Sequence, residues 1–282
     1  DRYNVYTLLI TEKRWSVKLS DGREIDLDKN DFSFTDNGVK TRFDFAYITI
    51  HGTPGENGLL QGYLDMLGIP YSCCGVLAAS LSFNKYVCNK FLNSFGVKTG
   101  KSVCLRHRAE FDQDHIVTQL GLPVFVKPND GGSSFGTTKV SVAEELQQAV
   151  SIAFDEGNEV IVESFIPGTE VTCGCYKTGN KLTLLPVTEV VSKNEFFDFD
   201  AKYNPASVEE ITPARISESL TKEIQSLTGR IYEWIGAKGI IRVDYIISDG
   251  ELYMLEVNTT PGMTTTSFIP QQIRAPGLGI KE

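Results

Sequence analysis

Ile241-Arg242-Val243-Asp244-Tyr245-Ile246-Ile247-Ser248-Asp249-Gly250-Glu251-Leu252-Tyr253-Met254-Leu255-Glu256-Val257-Asn258 reads as two β-strands around an Asp-Gly turn signal. Side chains alternate along a strand, so Val243, Tyr245 and Ile247 share one face, as do Tyr253, Leu255 and Val257. These two apolar sets can lie together only if the loop has an odd number of residues. A three-residue loop, Ser248-Asp249-Gly250, is therefore expected, with Gly250 left-handed. It pairs Arg242 with Glu256 and leaves Asp244 diagonal to Glu256. The other face then carries Arg242, Asp244, Glu256 and Asn258. Two carboxylates and an amide oxygen are hard ligands of the kind that suit Mg²⁺. The same pattern also fits a solvated face with an Arg–Glu cross-strand pair.

A second chemistry-bearing stretch is Pro123-Val124-Phe125-Val126-Lys127-Pro128, an apolar strand ending in a lysine. It runs into Asn129-Asp130-Gly131-Gly132-Ser133-Ser134-Phe135-Gly136 and returns through Thr137 to Val140. Glycines there let backbone N–H groups close on phosphate oxygens, and the serines add hydroxyl donors. A glycine-rich hairpin can also be a mere turn. Lys127, four residues ahead of the first glycine, adds a point charge beside a phosphate-sized nest.

Further out, Asp21-Gly22 joins strands Trp15–Leu19 and Glu24–Leu27. Val5 to Ile10 reads as a strand, and Phe43 to Ile50 as a buried one. The latter leads into His51-Gly52-Thr53-Pro54-Gly55-Glu56-Asn57-Gly58 and a helix burying Leu59, Leu60, Tyr63, Leu64 and Leu67. Strand, loop, helix is an α/β unit, and ligands bind at such loops. Phe83, Val87, Phe91, Leu92 and Phe95 fit one helix, closed by Gly96. Ala143–Phe154 and Ser217–Ile235 are predicted helices. Glu159–Phe165, Glu170–Tyr176 and Leu182–Val191 are predicted strands. The chain opens on a strand, which predicts sequence upstream of Asp1, and a C-terminal helix reads as cut short after Glu282.

The 282 residues carry a formal net charge of −9 with no basic run, which argues against nucleic acid and acidic membranes as partners. No stretch reaches the roughly 18 apolar residues of a membrane span. The six cysteines lack zinc-type spacing and read as reduced thiols of a cytosolic protein.

Glu256-Val257-Asn258-Thr259-Thr260-Pro261-Gly262-Met263-Thr264 resembles the E-x-N-T-x-P-G-[MF]-T signature of the D-alanine–D-alanine ligases of the ATP-grasp superfamily. His51-Gly52 with Gly55-Glu56-Asn57-Gly58, Val126-Lys127-Pro128, Gly132-Ser133-Ser134-Phe135-Gly136, Asp200-Ala201-Lys202-Tyr203 and Arg242-Val243-Asp244 are similar to further family motifs, in family order. The family's glycine-rich first loop, with its serine and substrate-binding glutamate, has no counterpart in these residues.

The resemblance implies an ATP-grasp fold, α/β and α+β. A Rossmann-like N-terminal domain (1–74) precedes two α+β domains (75–165 and 166–282) whose antiparallel sheets sandwich ATP. It implies two D-alanines joined through an acyl phosphate, in the cytoplasm, for peptidoglycan precursor and cell-wall synthesis. ATP is the nucleotide, with two Mg²⁺ or Mn²⁺ ions, and the family is usually dimeric.

Carried over residue by residue, Lys85, Lys127 and the Gly132, Ser133, Ser134 and Gly136 loop hold phosphates. Glu163 reads the adenine amino group, Ile166 gives a backbone contact and Glu170 holds the ribose. Asp244, Glu256 and Asn258 hold metal, with Lys202 helping neutralise phosphate charge. Arg242 and the Gly262 N–H stabilise the oxyanion. His51 and Glu56 line the first substrate, Ser267 holds the second substrate's carboxylate, and Tyr203 meets Ser133 over both. Phe197–Tyr203 corresponds to the family's mobile loop. Tyr203 favours an amine nucleophile over D-lactate. A D-alanine–D-lactate or other carboxylate–amine ligase and a non-catalytic nucleotide-binding module are the rival readings.

Overall fold

The computed structural model describes residues 3–108, 111–131, 135–192, 208–277 and 279. The predicted segment 195–205 lies outside the described residues, as do Gly132, Ser133, Ser134, Lys202 and Tyr203. The chain divides into two compact units, residues 1–47 with 61–72, and residues 48–60 with 73–282.

In the first unit, β1 (Thr7–Ile10), β2 (Trp15–Lys18) and β3 (Glu24–Asp26) form an antiparallel sheet, turning at Gly22 as expected. β4 (Ser33–Asp36) and β5 (Val39–Arg42) form a second hairpin. Its Asn37-Gly38 turn has φ of 49° and 78°, the left-handed pair a two-residue hairpin loop needs. The expected buried strand over Phe43–Ile50 is not formed. Ala46 alone makes a parallel bridge, to Tyr71, while Phe45 and Tyr47 are exposed. Apolar composition could not supply a neighbouring strand along its whole length. The bridge ties together the two ends of the segment that carries α1 (Leu59–Leu67), without a strand on either side. Leu60 and Leu64 are buried there, but Leu59 is exposed.

The second unit begins with α2 (Val76–Phe83) and α3 (Lys85–Asn93) where one helix was expected. Asn84 breaks it: at φ −87°, ψ 99° it leaves helical geometry, and its side chain accepts the Val87 N–H at 2.9 Å. The inward face of α3 is accordingly Cys88, Asn89 and Leu92, and Val87 and Phe95 are partly exposed.

β6 (Ser102–Leu105), α4 (Gln113–Leu120), β7 (Val124–Pro128), β8 (Thr138–Val140), α5 (Leu146–Glu156) and β9 (Val160–Ser164) follow. The strands make a four-stranded antiparallel sheet in the order β6-β9-β7-β8. Leu146, Ala149, Val150, Ala153 and Phe154 recur at helical spacing on α5 and pack against Val124, Val126, Val140, Val160 and Val162. Each fully buried side chain of this size contributes roughly 1.5–3 kcal/mol. The opposite face of the sheet is left to Phe125, Lys127, Ile161 and Glu163.

β10 (Thr169–Thr178), β11 (Lys181–Ser192), β12 (Val208–Ile211), α6 (Glu218–Trp234), β13 (Ile240–Ser248), β14 (Glu251–Asn258) and α7 (Phe268–Arg274) complete the chain. The strands form a five-stranded antiparallel sheet in the order β12-β11-β10-β13-β14. α6 is capped by Ser217, whose hydroxyl accepts the Leu220 N–H, and buries Ile224, Leu227 and Ile231 with Val171, Cys173, Val243 and Tyr245. All six cysteines are free. Burial pushes the Cys74, Cys88 and Cys173 thiols up to about 12, so they stay protonated and inert. Among the described residues no helix is long and apolar enough to cross a membrane.

The closing hairpin corrects the loop prediction. Ser248 pairs with Glu251, so the turn is the two residues Asp249 and Gly250, at φ 50° and 78°. Parity is restored by a bulge instead. Tyr245 pairs with Met254 but Asp244 with Glu256, leaving Leu255 as the extra residue. The core side of β14 is therefore Leu252, Met254 and Val257, not Tyr253 and Leu255. Asp244 sits directly opposite Glu256, and Arg242 opposite Asn258.

Candidate active site

Two strand faces and one helix supply the site. From the four-stranded sheet, Lys127 Nζ lies 2.6 Å from Glu163 Oε2, and Asn89 Nδ2 of α3 donates to Glu163 Oε1 at 2.8 Å. From the start of α3, Lys85 Nζ donates to the Gly131 carbonyl at 2.5 Å, at the entry to the glycine-rich loop. Burial and the Lys127 ammonium pull Lys85 below its usual value, against the attraction of Glu256, Glu163 and Asp130. Burial also opposes charge on Lys127, but Glu163 and Glu256 outweigh it and raise that lysine.

The five-stranded sheet contributes the opposite charge. Arg242 grips Asp244 with two hydrogen bonds, from Nε to Oδ1 and from a terminal nitrogen to Oδ2, both 2.8 Å. Thr172, facing Asp244 on β10, donates to Oδ1 at 2.5 Å. Asn258 Nδ2 donates to Asp244 Oδ2 at 3.0 Å and reaches Glu256 Oε1 at 3.5 Å. Burial works against the Arg242 charge, but Asp244, Glu256 and Glu170 more than offset it and raise the guanidinium further. The Phe268 ring of α7 covers it, 5.2 Å from the guanidinium carbon to the ring centre.

A cleft of about 330 Å³ brings together His51, Glu56, Lys85, Arg242, Glu256, Asn258, Gly262 and Ser267 among the anticipated residues. Glu56 accepts the Gly52 N–H at 2.6 Å, with His51 Nδ1 3.9 Å from its other oxygen. A Cβ on Gly262 would stand 2.7 Å from the Ser267 hydroxyl, so only glycine lets the backbone lie against that serine. Asp244 does not line the cleft itself but is bonded to Arg242, which does. Lys127, Glu163 and Glu170 are not cleft-lining either; they join the site electrostatically, Lys127 through Glu256, Glu163 through Lys85 and Glu170 through Arg242. Ile166 follows β9 half-buried. Gly136 is left-handed at φ 65°, packed on Pro128 and Glu156.

The sequence reading missed Asn89, Thr172, Glu210, Phe268, Gln271 and Gln272. Gln272, fully buried, accepts the Gly174 N–H at 3.0 Å and donates to the Thr172 carbonyl at 3.0 Å, fixing α7 to the sheet. A Cβ on Gly174 would strike Ile269 at 2.4 Å, so the lone glycine within β10 was the available signal for close helix approach. Glu210 lines the cleft and accepts from Gln271; nothing in the local pattern around β12 marked it.

Lys85 of α3 and Glu256 of the five-stranded antiparallel sheet face one cleft, with Lys127 of the four-stranded antiparallel sheet coupled to Glu256, an arrangement of the ATP-grasp class. The model of the D-ala D-ala ligase C-terminus matches residues 91–282. A D-alanine–D-alanine ligase of Azobacteroides pseudotrichonymphae is 64% identical over 283 residues, covering 100% of this chain and 87% of that relative. The crystal structure of D-alanyl-alanine synthetase A from Vibrio cholerae superposes with a TM-score of 0.87 at 27% identity, covering 98% of this chain and 84% of that one. A D-alanine–D-alanine ligase from Bacillus anthracis complexed with ATP gives 0.72 at 31% identity, over 83% of this chain and 74% of that one. The chain belongs to the D-alanine–D-alanine ligase family.

Proposed function

We propose that this protein is an ATP-dependent ligase that joins two D-alanines into D-alanyl-D-alanine for peptidoglycan precursor synthesis, working in the cytoplasm. The observation that supports this most is the convergence of Arg242, Glu256, Asn258 and Lys85 on one cleft, with Asp244 locked to Arg242. Residues 75–165 and 166–282 are the two halves that hold the nucleotide, and an N-terminal domain over 1–74 precedes them in the sequence.

The reaction must gather a carboxylate and a triphosphate, both anionic. Lys85 and Lys127 neutralise phosphate oxygens, and burial strengthens their field. Arg242 and the Gly262 N–H face the charge that develops on the acyl oxygen. His51 and Glu56 border the first D-alanine, and Ser267 takes the carboxylate of the second. Glu163 reads adenine, Ile166 contacts it through its backbone, and Glu170 holds the ribose. The Gly132–Gly136 loop, with Ser133, Ser134 and Gly136, closes on the phosphates. Lys202 and Tyr203 belong to the segment that keeps water from the acyl phosphate.

The donor types suit a divalent cation: Glu256 faces the cleft, and Asp244 would exchange bonds to Arg242, Thr172 and Asn258 for the metal. Asp244 and Glu256 are opposed on adjacent strands with the Asn258 amide beside them. Among the described residues no group of three or more His, Cys, Asp or Glu is placed to hold a metal ion by itself. Hard oxygens in an incomplete set suit Mg²⁺ or Mn²⁺, which take the rest of their shell from phosphates and water. Two such ions, when bound, would neutralise the phosphate charge. A homodimer is the expected assembly.

The test is ADP release by the purified protein, followed with D-alanine, D-lactate and no acceptor. Release that requires D-alanine and Mg²⁺, with dipeptide as product, is expected. ATP binding without any D-alanine-dependent ADP would overturn the ligase reading.

A further inference from the structure

Lys85 and Asn89 stand one helical turn apart and so share a face of α3. Lys85 reaches the Gly131 carbonyl at the mouth of the glycine-rich loop. Asn89 reaches in the other direction, to Glu163 on β9. Both members of that second contact are shut off from solvent: Asn89 is 2% exposed and Glu163 9%. Bulk solvent therefore does not reach this contact, and a water could take the place of the amide only where a smaller side chain left it space.

An ionised carboxylate only accepts hydrogen bonds, at about four lone-pair positions. Asn89 Nδ2 takes one on Oε1, at 2.8 Å, and the Lys127 ammonium takes one on Oε2, at 2.6 Å. With both oxygens pinned from behind, the carboxylate plane is fixed. Its remaining acceptor sites keep one direction. A purine bearing an amino group there donates to them; a purine bearing a carbonyl there sets oxygen against oxygen. Lys127 is a point charge on a flexible stem and fixes little direction. The short Asn89 side chain, on a helix, does.

We infer that Asn89 is a positioning residue for recognition of the nucleotide base: it aims Glu163 so that the site accepts adenine and rejects guanine. One helix face then serves both ends of the nucleotide, Lys85 the phosphates and Asn89 the base. This rests on the assignment of Glu163 as the adenine-reading residue. It goes further in naming what orients that residue and what the orientation selects.

The test uses Asn89→Leu, close in volume but without the amide, and Asn89→Ser, which leaves room for a bridging water. Affinities for non-hydrolysable analogues of ATP and GTP are measured on the whole protein by calorimetry, with thermal unfolding as a check on folding. The Leu variant is expected to bind the adenine analogue about tenfold more weakly. Its preference over the guanine analogue shrinks by a similar factor. KM for ATP rises while kcat is kept. The Ser variant falls between and decides alone if the Leu variant does not fold. A folded variant with the wild-type adenine-to-guanine ratio would show Asn89 to be only a satisfied core amide. Wild-type protein that binds neither analogue would instead sink the nucleotide-site reading itself.

Discussion

The two sheets that build the site obey alternation to different degrees. In the four-stranded sheet it is unbroken: Val124, Val126, Val160 and Val162 face α5 while Phe125, Lys127, Ile161 and Glu163 face the other way. In the five-stranded sheet it fails twice. Leu255 is extra opposite Asp244 and Tyr245, and the pairing of β10 with β11 slips between Cys173 and Cys175. The first sheet presents a buried ion pair, Lys127–Glu163. The second presents an acidic pair whose alignment a bulge creates. A regular strand can carry one charged position between apolar ones. Bringing Asp244 opposite Glu256 while keeping Met254 in the core needs an added residue.

The largest expected break falls on the second sheet. Glu256→Gln should cost turnover on the order of a thousandfold, as loss of metal-based charge stabilisation is worth several kcal/mol. Steady-state ADP formation over a range of Mg²⁺ concentrations checks this; an unchanged kcat and Mg²⁺ response would remove the bulge from the chemistry.

The first sheet should respond in stability. Lys127→Ala leaves Glu163 without its cation, costing about 3 kcal/mol in denaturant unfolding. The double variant Lys127→Met with Glu163→Leu should recover most of that stability yet bind ATP poorly. If the single variant is as stable as wild type, the pair is not the anchor of this face.

A smaller effect sharpens the hairpin comparison. Gly250 is left-handed at φ 78°, and a Cβ there meets nothing within 4 Å. Gly250→Val should therefore lose about 1–2 kcal/mol, from backbone strain alone. A loss well above that in chemical denaturation would mean the turn makes contacts of its own.

The smallest expected effect separates the two lysines by pH. Lys85 is lowered by burial, so nucleotide affinity should start to fall at a pH below the usual lysine 10.5. Lys127 is raised, so its contribution persists beyond that point. For stability the signs are opposite. Between its lowered value and 10.5, Lys85 binds fewer protons folded than unfolded, so its contribution rises with pH. The stabilisation from Lys127 is complete below 10.5 and is lost as pH rises through its raised value. Titration of analogue affinity in wild type and Lys85→Met compares them; identical pH profiles would refute the assignment.

Legibility followed the same divide. Val124-Phe125-Val126-Lys127 was readable because a short apolar run closed by one charge and Pro128 needs no partner to interpret. The helix over Ser217–Ile235 was readable from its cap and apolar spacing. The break at Asn84 was not, since an asparagine can continue a helix or cap a new one, and here Asn129 settles it by accepting the Tyr86 N–H at 2.8 Å. Glu210 and Gln272 went unread because their roles depend on α7 crossing the sheet, a contact marked locally only by Gly174 in β10.

From the sequence alone came the antiparallel halves, the acidic pair with its arginine and asparagine, and the lysine strand, together with the family to which they belong. Local alternation and turn chemistry are encoded residue by residue, so they survive without coordinates. Only the tertiary structure decided the two-residue turn with its compensating bulge, the Asp244–Glu256 opposition, and the amide behind Glu163. Each of these is a choice between registers or partners that local propensity leaves nearly equal, and long-range packing makes the choice.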